Sequence, residues 1–353
     1  MAIISYKCPN CDGELVFNPK TQEYKCEYCT SAFSQEELNQ MQPEMEKEVS
    51  DKDGNSTLQS KETEEGNSYY CPSCGAEIVT DNTTAATFCY YCHNPVVLSG
   101  RVSGEFMPHK IIPFAIDKKQ ATDKFLEYVH HKKFVPKAFF DKRQIDKISG
   151  VYFPYWMVDM DLTGNLQAEG RKVRVWRRGD TEYTETQIYQ VEREGNIHLE
   201  DITKHALNKA NYKLSQGVLP YDISKVQNFH MGYLSGFLAE KRDIERTELE
   251  AAIQAEAKQY GEQLLKETVK GYTSLSIKDC YLNFQKENWD YILLPVWTVT
   301  YKGKNGKIYY YSMNGQSGTV YGELPIDYKK VWFLSAMISA IVFILGLIGG
   351  FFL

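Results

Sequence analysis

The chain has 353 residues, 46 acidic and 40 basic, for a net charge of -6, and 43% of its residues are hydrophobic. That length supports two or three packed domains and excludes a globally disordered chain. A mean hydropathy of -0.44 excludes a polytopic membrane protein but leaves room for one apolar segment.

Eight of the nine cysteines fall in four C-x-x-C pairs: Cys8/Cys11, Cys26/Cys29, Cys71/Cys74 and Cys89/Cys92. Fourteen residues separate the inner cysteines of the first two pairs, and fourteen again separate those of the last two. Residues 8–29 and 71–92 are therefore two copies of one unit, offset by 63, which also share Pro9/Pro72, Glu14/Glu77, Val16/Val79 and Tyr28/Tyr91. Four thiolates presented as two tight knuckles suit a tetrahedral cation, and the spacer is long enough for a hairpin that sets one knuckle opposite the other. The expectation is two zinc ribbons, at 1–33 and 69–98, with two zinc ions per chain. Iron in the same sulfur set is the competing ion, because ligand type alone does not separate the two metals. Cys89 to His93 also fits the c-type haem pattern C-x-x-C-H, but the duplicated spacing already accounts for both cysteines.

Between the copies, residues 34–68 contain no Phe, Tyr or Trp and set ten acidic residues against three lysines. Such a stretch cannot bury enough apolar surface to offset its ordering entropy. It reads as an acidic disordered linker, with a short helix near Gln35–Met41 extending the first ribbon.

Residues 99–330 read as an α+β domain. Asp117 and Gln120 form a capping box for a helix through about Lys132, with Phe125 and Val129 on one face. Strands are expected at 151–159, 165–177 and 181–192, and helices near 203–215 and at 243–270, the latter stopped at Gly271. Strands follow near 274–286, 291–302, 306–313 and 319–323, with a hairpin signal at Asn305-Gly306. Cys280 reads as a half-buried strand residue. Strand runs around long helices, without regular βαβ alternation, favour α+β. Pro154-Tyr155-Trp156 and Pro295-Val296-Trp297 are read either as a second, fainter repeat or as two unrelated Pro-x-Trp strands.

Residues 331–353 contain no charge, and 23 helical residues span about 34 Å, enough for the hydrocarbon core. A single C-terminal transmembrane helix is expected. Met1–Asn10 holds no apolar run of signal-peptide length, so the domains ahead of the helix are expected to stay in the cytosol, with Lys329-Lys330 on the cytoplasmic flank. Ser335, Ser339, Gly346 and Gly350 share one side of this helix, a candidate contact for a partner helix.

The ribbons lack the clustered cations that phosphate binding needs, since residues 69–98 contain neither Lys nor Arg. This argues against nucleic acid, and Tyr69, Tyr70, Phe88, Tyr90 and Tyr91 suggest contact with proteins instead. The one basic stretch lies at 171–178. On a strand, Lys172, Arg174, Trp176 and Arg178 share a face, a candidate contact for lipid headgroups or an acidic partner. Asp159-Met160-Asp161-Leu162-Thr163 fits a phosphotransferase pattern, but the βαβ setting it needs does not follow. No Walker A motif is present, and the histidines show no ligand or triad spacing. No catalytic motif is found, and the chain reads as non-enzymatic.

CPNC, CEYC, CPSCGAEIV and CYYC, followed by PHKIIPF, GVYFPYW, GYLSGFLAEKRD, LLPVW and MNGQSGTVYGELP before an apolar tail, resemble the TFIIB-type zinc-ribbon membrane proteins of Gram-positive bacteria. The ribbons of that family have often earned it a helicase-like label, which this chain does not support. The resemblance implies non-enzymatic proteins, some of which accompany flotillin-like (SPFH) and phage-shock-protein-A-like partners in envelope stress. The functional expectation is a membrane-anchored scaffold that recruits partner proteins at the cytoplasmic face. The alternatives are a membrane-tethered nucleic-acid-binding regulator, or an enzyme with its site in 99–330.

Overall fold

The computed structural model describes residues 3–4, 6–41, 67–71, 77–80, 82–89, 95–98, 101–102, 104–208, 217–303 and 306–352. Most of the expected linker, and Cys74 and Cys92, lie outside them. The chain forms two compact units, each discontinuous in sequence. Unit 1 comprises Met1–Pro154, Leu207–Lys241 and Leu293–Leu353, and unit 2 comprises Tyr155–Ala206 and Arg242–Ile292. The residues expected to form a single α+β domain are thus shared between the two.

The first cysteine repeat supplies β1 (Ile3–Ile4), β2 (Leu15–Asn18), β3 (Glu23–Cys26), β4 (Ala32–Phe33) and α1 (Gln35–Met41). The second supplies β5 (Asn67–Tyr70), β6 (Glu77–Thr80), β7 (Thr84–Phe88) and β8 (Pro95–Leu98). There follow β9 (Lys110–Ile111), α2 (Lys118–His130), α3 (Lys142–Ile145), β10 (Ser149–Arg178), β11 (Thr181–His205), β12 (Gln227–Asn228) and β13 (Leu238–Glu240). The chain closes with α4 (Arg246–Glu267), β14 (Ser274–Lys302), β15 (Ile308–Asn314), β16 (Val320–Gly322) and α5 (Tyr328–Phe352). The main sheet runs β1-β8-β7-β13-β10-β14-β15-β16, with β11 on β10, while β2-β3-β4 and β5-β6 form small sheets of their own.

In unit 1 the capping box forms as the sequence suggests. Asp117 Oδ1 accepts the Gln120 amide at 2.7 Å and Gln120 Oε1 accepts the Asp117 amide at 3.2 Å, which starts α2. Ala121, Phe125 and Val129 make its buried face. The core centres on Phe114, stacked on Phe237 at 4.3 Å and meeting Tyr152 at 4.9 Å and Trp297 at 5.2 Å. Gly315 makes room for this cluster, since a Cβ there would lie 2.6 Å from the Phe114 ring. Trp297 Nε1 donates to the Ile116 carbonyl at 2.9 Å, so the indole is buried without an orphaned donor.

In unit 2 the helix α4 presents Ile253, Ala257, Gly261 and Leu265, one residue per turn, to a core with Val158, Met160, Leu162, Leu166 and Ile197. The sequence suggests breaks near 160–164 and 287–290, but β10 and β14 run straight through both. Gly164 does not interrupt its strand; it clears space for the helix, because a Cβ there would lie 2.7 Å from both Leu265 and Leu282. Trp289 packs against the core from the second presumed break. The helix expected near 203–215 is not present in its described part. Residues 203–205 belong to β11, where His205 pairs with Tyr155, so tertiary pairing overrides local propensity. Residues 209–216 lie outside the described residues. Helix α4 ends at Glu267, earlier than expected, although Gly271 does take a positive φ of 86°.

Helix α5 is long and apolar enough to cross a membrane over Tyr328–Ile348, and none of that stretch is buried within the chain. Its base is tied to unit 1, where the Asp327 amide donates to the Phe134 carbonyl at 2.7 Å and Lys330 Nζ to the Val135 carbonyl at 2.7 Å.

Candidate metal centre

Two local turns bring the first four cysteines together. After each C-x-x-C pair the chain enters the left-handed region, at Asp12 (φ 60°) and Thr30 (φ 63°). Each of these residues donates its amide back to the first cysteine's carbonyl, Asp12 to Cys8 at 2.9 Å and Thr30 to Cys26 at 3.1 Å. The knuckles are therefore the same turn used twice. The β2–β3 hairpin, paired Leu15 to Cys26 and Val16 to Lys25, folds one over the other.

The Sγ atoms of Cys8, Cys11, Cys26 and Cys29 all lie within 4.8 Å of one another. Cys8 and Cys29 are 3.5 Å apart, as are Cys11 and Cys26. A tetrahedral ion with metal–sulfur bonds of about 2.3 Å requires sulfur–sulfur edges of about 3.8 Å. The observed set brackets that value, so the four sulfurs can hold a metal ion. Gly13 is part of the design, because a Cβ there would lie 3.2 Å from both the Cys11 and Cys26 sulfurs. The Ser31 hydroxyl at 3.2 Å, together with the Ser31 backbone, pulls the Cys29 thiol down to about 6. Burial pushes Cys8 upward.

This module is docked on the rest of unit 1 rather than free. The Phe17 amide donates to the Ser235 carbonyl at 3.1 Å, and the Ser235 hydroxyl donates to the Leu15 carbonyl at 2.5 Å. Phe17 meets Tyr233 edge-on at 5.1 Å. Gln22 Nε2 donates to the Phe114 carbonyl at 2.8 Å, and Lys20 pairs with Asp117 at 2.8 Å.

The second copy keeps the register of the first. The Lys7–Glu14 bridge recurs as Tyr70–Glu77, and Tyr24–Phe33 and Lys25–Ala32 recur as Thr87–Val96 and Phe88–Pro95, each shifted by 63. Cys71 and Cys89, the counterparts of Cys8 and Cys26, are buried in one cluster with Tyr69, Val96 and Leu98. The copies differ in their setting. In the first, β3 lies between β2 and β4; in the second, β7 lies between β8 and β13, within the main sheet. Tyr69, expected as a contact residue, is instead a core residue at 8% exposure.

The remaining candidates lie elsewhere. Lys172, Arg174, Trp176 and Arg178 are exposed near the tip of the β10–β11 hairpin. Ser335, Ser339 and Gly346 are exposed on α5, and Gly350 falls in the same helix. One cluster escaped the sequence reading. His198 Nδ1 lies 2.5 Å from Asp161 Oδ1 and its Nε2 lies 2.9 Å from Glu200. Asp159 Oδ1 accepts the Asp201 amide at 3.0 Å across a bulge in the same hairpin. The D-x-D pair thus sits in an antiparallel hairpin, and cross-strand register, invisible in linear spacing, assembles the group.

No family model matches the chain, and no solved structure matches it. It is 31% identical over 333 residues to the uncharacterized protein YdjG of Bacillus subtilis (strain 168), an alignment covering 94% of this chain and 93% of that protein. The chain belongs to the family of YdjG.

Proposed function

We propose that the protein is a non-enzymatic, membrane-anchored scaffold whose two four-cysteine sites bind zinc and whose cytosolic units recruit partner proteins to the membrane. One observation carries this reading. The four-sulfur module and the base of the apolar helix are both fastened to unit 1, the first through Ser235 and Phe114, the second through Phe134 and Val135. A metal-stabilised module built on the unit that carries a membrane helix suits presentation of a surface. The shared register of the two repeats supports a second zinc ion, held by Cys71, Cys74, Cys89 and Cys92. The resemblance to TFIIB-type zinc-ribbon membrane proteins supports SPFH-like or phage-shock-protein-A-like proteins as the partner class.

Tyr28, 85% exposed between two ligand cysteines, is the natural probe of the presented surface. Crosslinked membranes are solubilised, and the proteins captured with the wild type and with Tyr28→Ala are compared. The expected result is a defined partner set that the variant loses while it still fractionates with membranes and keeps its zinc. Retention of the full set by Tyr28→Ala, and by a Cys8→Ser/Cys11→Ser variant, would overturn the scaffold reading for this module.

A further inference from the structure

The hairpin of β10 and β11 carries a second surface. Beyond Val173, whose amide is held by the Thr273 hydroxyl at 3.0 Å, the two strands continue as a paired hairpin from Arg174–Glu185 to Arg178–Thr181. Both faces of this tip are open to solvent. A lone two-stranded ribbon is marginal in water, and this one is pinned by Trp176 stacked on Tyr183 at 5.7 Å and 12°.

Alternation sorts its charges by face. On one face, Arg171 is engaged by Glu169 at 2.8 Å and Arg177 by Glu182 at 3.5 Å. On the face that carries Trp176, none of Lys172, Arg174 and Arg178 has a carboxylate partner among the described residues. Lys172 instead lies over the Tyr189 and Tyr272 rings at 5.2 and 5.5 Å, and Arg174 over Trp176 at 5.6 Å. The one acid in register on that face, Glu185, accepts from Gln187 at 2.9 Å. Ion-paired cations thus line one side, and three cations without an ion-pair contact, with an aromatic pair and a single acid, line the other.

We infer that the Trp176 face of this hairpin binds the headgroup region of an anionic lipid bilayer. Indole and phenol rings prefer that interface, where an apolar body and a polar tip are both satisfied. Lysine and arginine add attraction to anionic lipid that falls away within a Debye length. The inference rests on the reading of α5 as a membrane span, which would keep the hairpin at high effective concentration near a bilayer.

The test uses the full-length protein in vesicles of bromine-labelled phosphatidylcholine, with and without phosphatidylglycerol, reading tryptophan quenching in the wild type, Trp176→Phe and Trp332→Phe. Trp332 lies in α5 and reports the span whatever the headgroup. The expected result is a Trp176-dependent component that appears only with phosphatidylglycerol and is lost at high salt. It should weaken by about 25-fold in Arg174→Gln/Arg178→Gln, given about fivefold for each of the two cations removed. Quenching by Trp332 with no Trp176 component overturns the hairpin inference alone, whereas absence of both overturns the membrane span. A Trp176 response to a duplex oligonucleotide or to polyglutamate that exceeds the response to phosphatidylglycerol overturns the lipid assignment in favour of those ligands.

Discussion

Gly236 and Val16 meet so closely that a Cβ on the glycine would lie 2.3 Å from Val16 Cγ1, at a backbone φ of 89°. Val16 belongs to the first cysteine hairpin and Gly236 to the loop that carries Ser235 and Tyr233, so this contact measures how tightly the metal module is seated. The module is part of the folded body, and loosening the seat should be felt by the whole of unit 1.

Gly236→Ala combines a clash with a left-handed backbone that an alanine resists. The expected cost is about 2–4 kcal/mol, read as a lowered midpoint in denaturant unfolding. Zinc stoichiometry should be unchanged, because no sulfur ligand moves. An unaltered midpoint would show that the module is not held against residues 231–237.

Gly13→Ala acts on the sulfurs themselves. With a methyl 3.2 Å from both the Cys11 and Cys26 sulfurs and 3.1 Å from the Tyr28 Cβ, the knuckles must spread. The expected outcome is faster loss of metal from this site to a chelator, with one of the two proposed zinc ions affected, measured by elemental analysis after timed dialysis. Cys8→Ser and Cys71→Ser should each lower the content from two ions to one. A wild-type content near one, unchanged in Cys71→Ser, would remove the second site.

The four-cysteine cluster was legible because its signal is local. Four cysteines at fixed spacing specify both the turns and the ligand set, and the 63-residue offset carries through to the pairing register of both copies. Capping at Asp117 and the apolar tail were legible for the same reason. What the sequence concealed was long-range. Nothing local tells that β7 takes β13 as a neighbour where β3 takes β2, or that Gly164 is a seat for Leu265 and not a strand end. The grouping of Asp161, His198 and Glu200 depends on a register fixed some 37 residues away along the chain. Cys280, the ninth cysteine, is half-buried on β14 and packs against the unit 2 core, as a strand residue of that kind should.

Phe114 links the sheet core to the metal module, because its ring fills the aromatic cluster while its carbonyl accepts from Gln22. Phe114→Ala should cost about 3–5 kcal/mol, the range for emptying a fully buried aromatic site. Phe114→Leu should cost clearly less, since most of the volume is kept and the backbone bond to Gln22 survives. Equal losses in calorimetric midpoint for the two variants would mean that the ring is not packed as described.

His198 gives the protein a pH-dependent element. Its hydrogen bonds to Asp161, and then to Glu200, favour the imidazolium and hold its pKa above the ordinary value of about 6.5. A group whose pKa is raised by folding stabilises the fold fully below its unfolded value, and that contribution disappears as the pH climbs through the raised folded value. His198→Gln should therefore lower the melting temperature most near about pH 5.5, and the gap to wild type should close at higher pH. The site is exposed, so the difference should also shrink with added salt. A gap that is constant with pH would show that the histidine is held by packing and not by its two carboxylates.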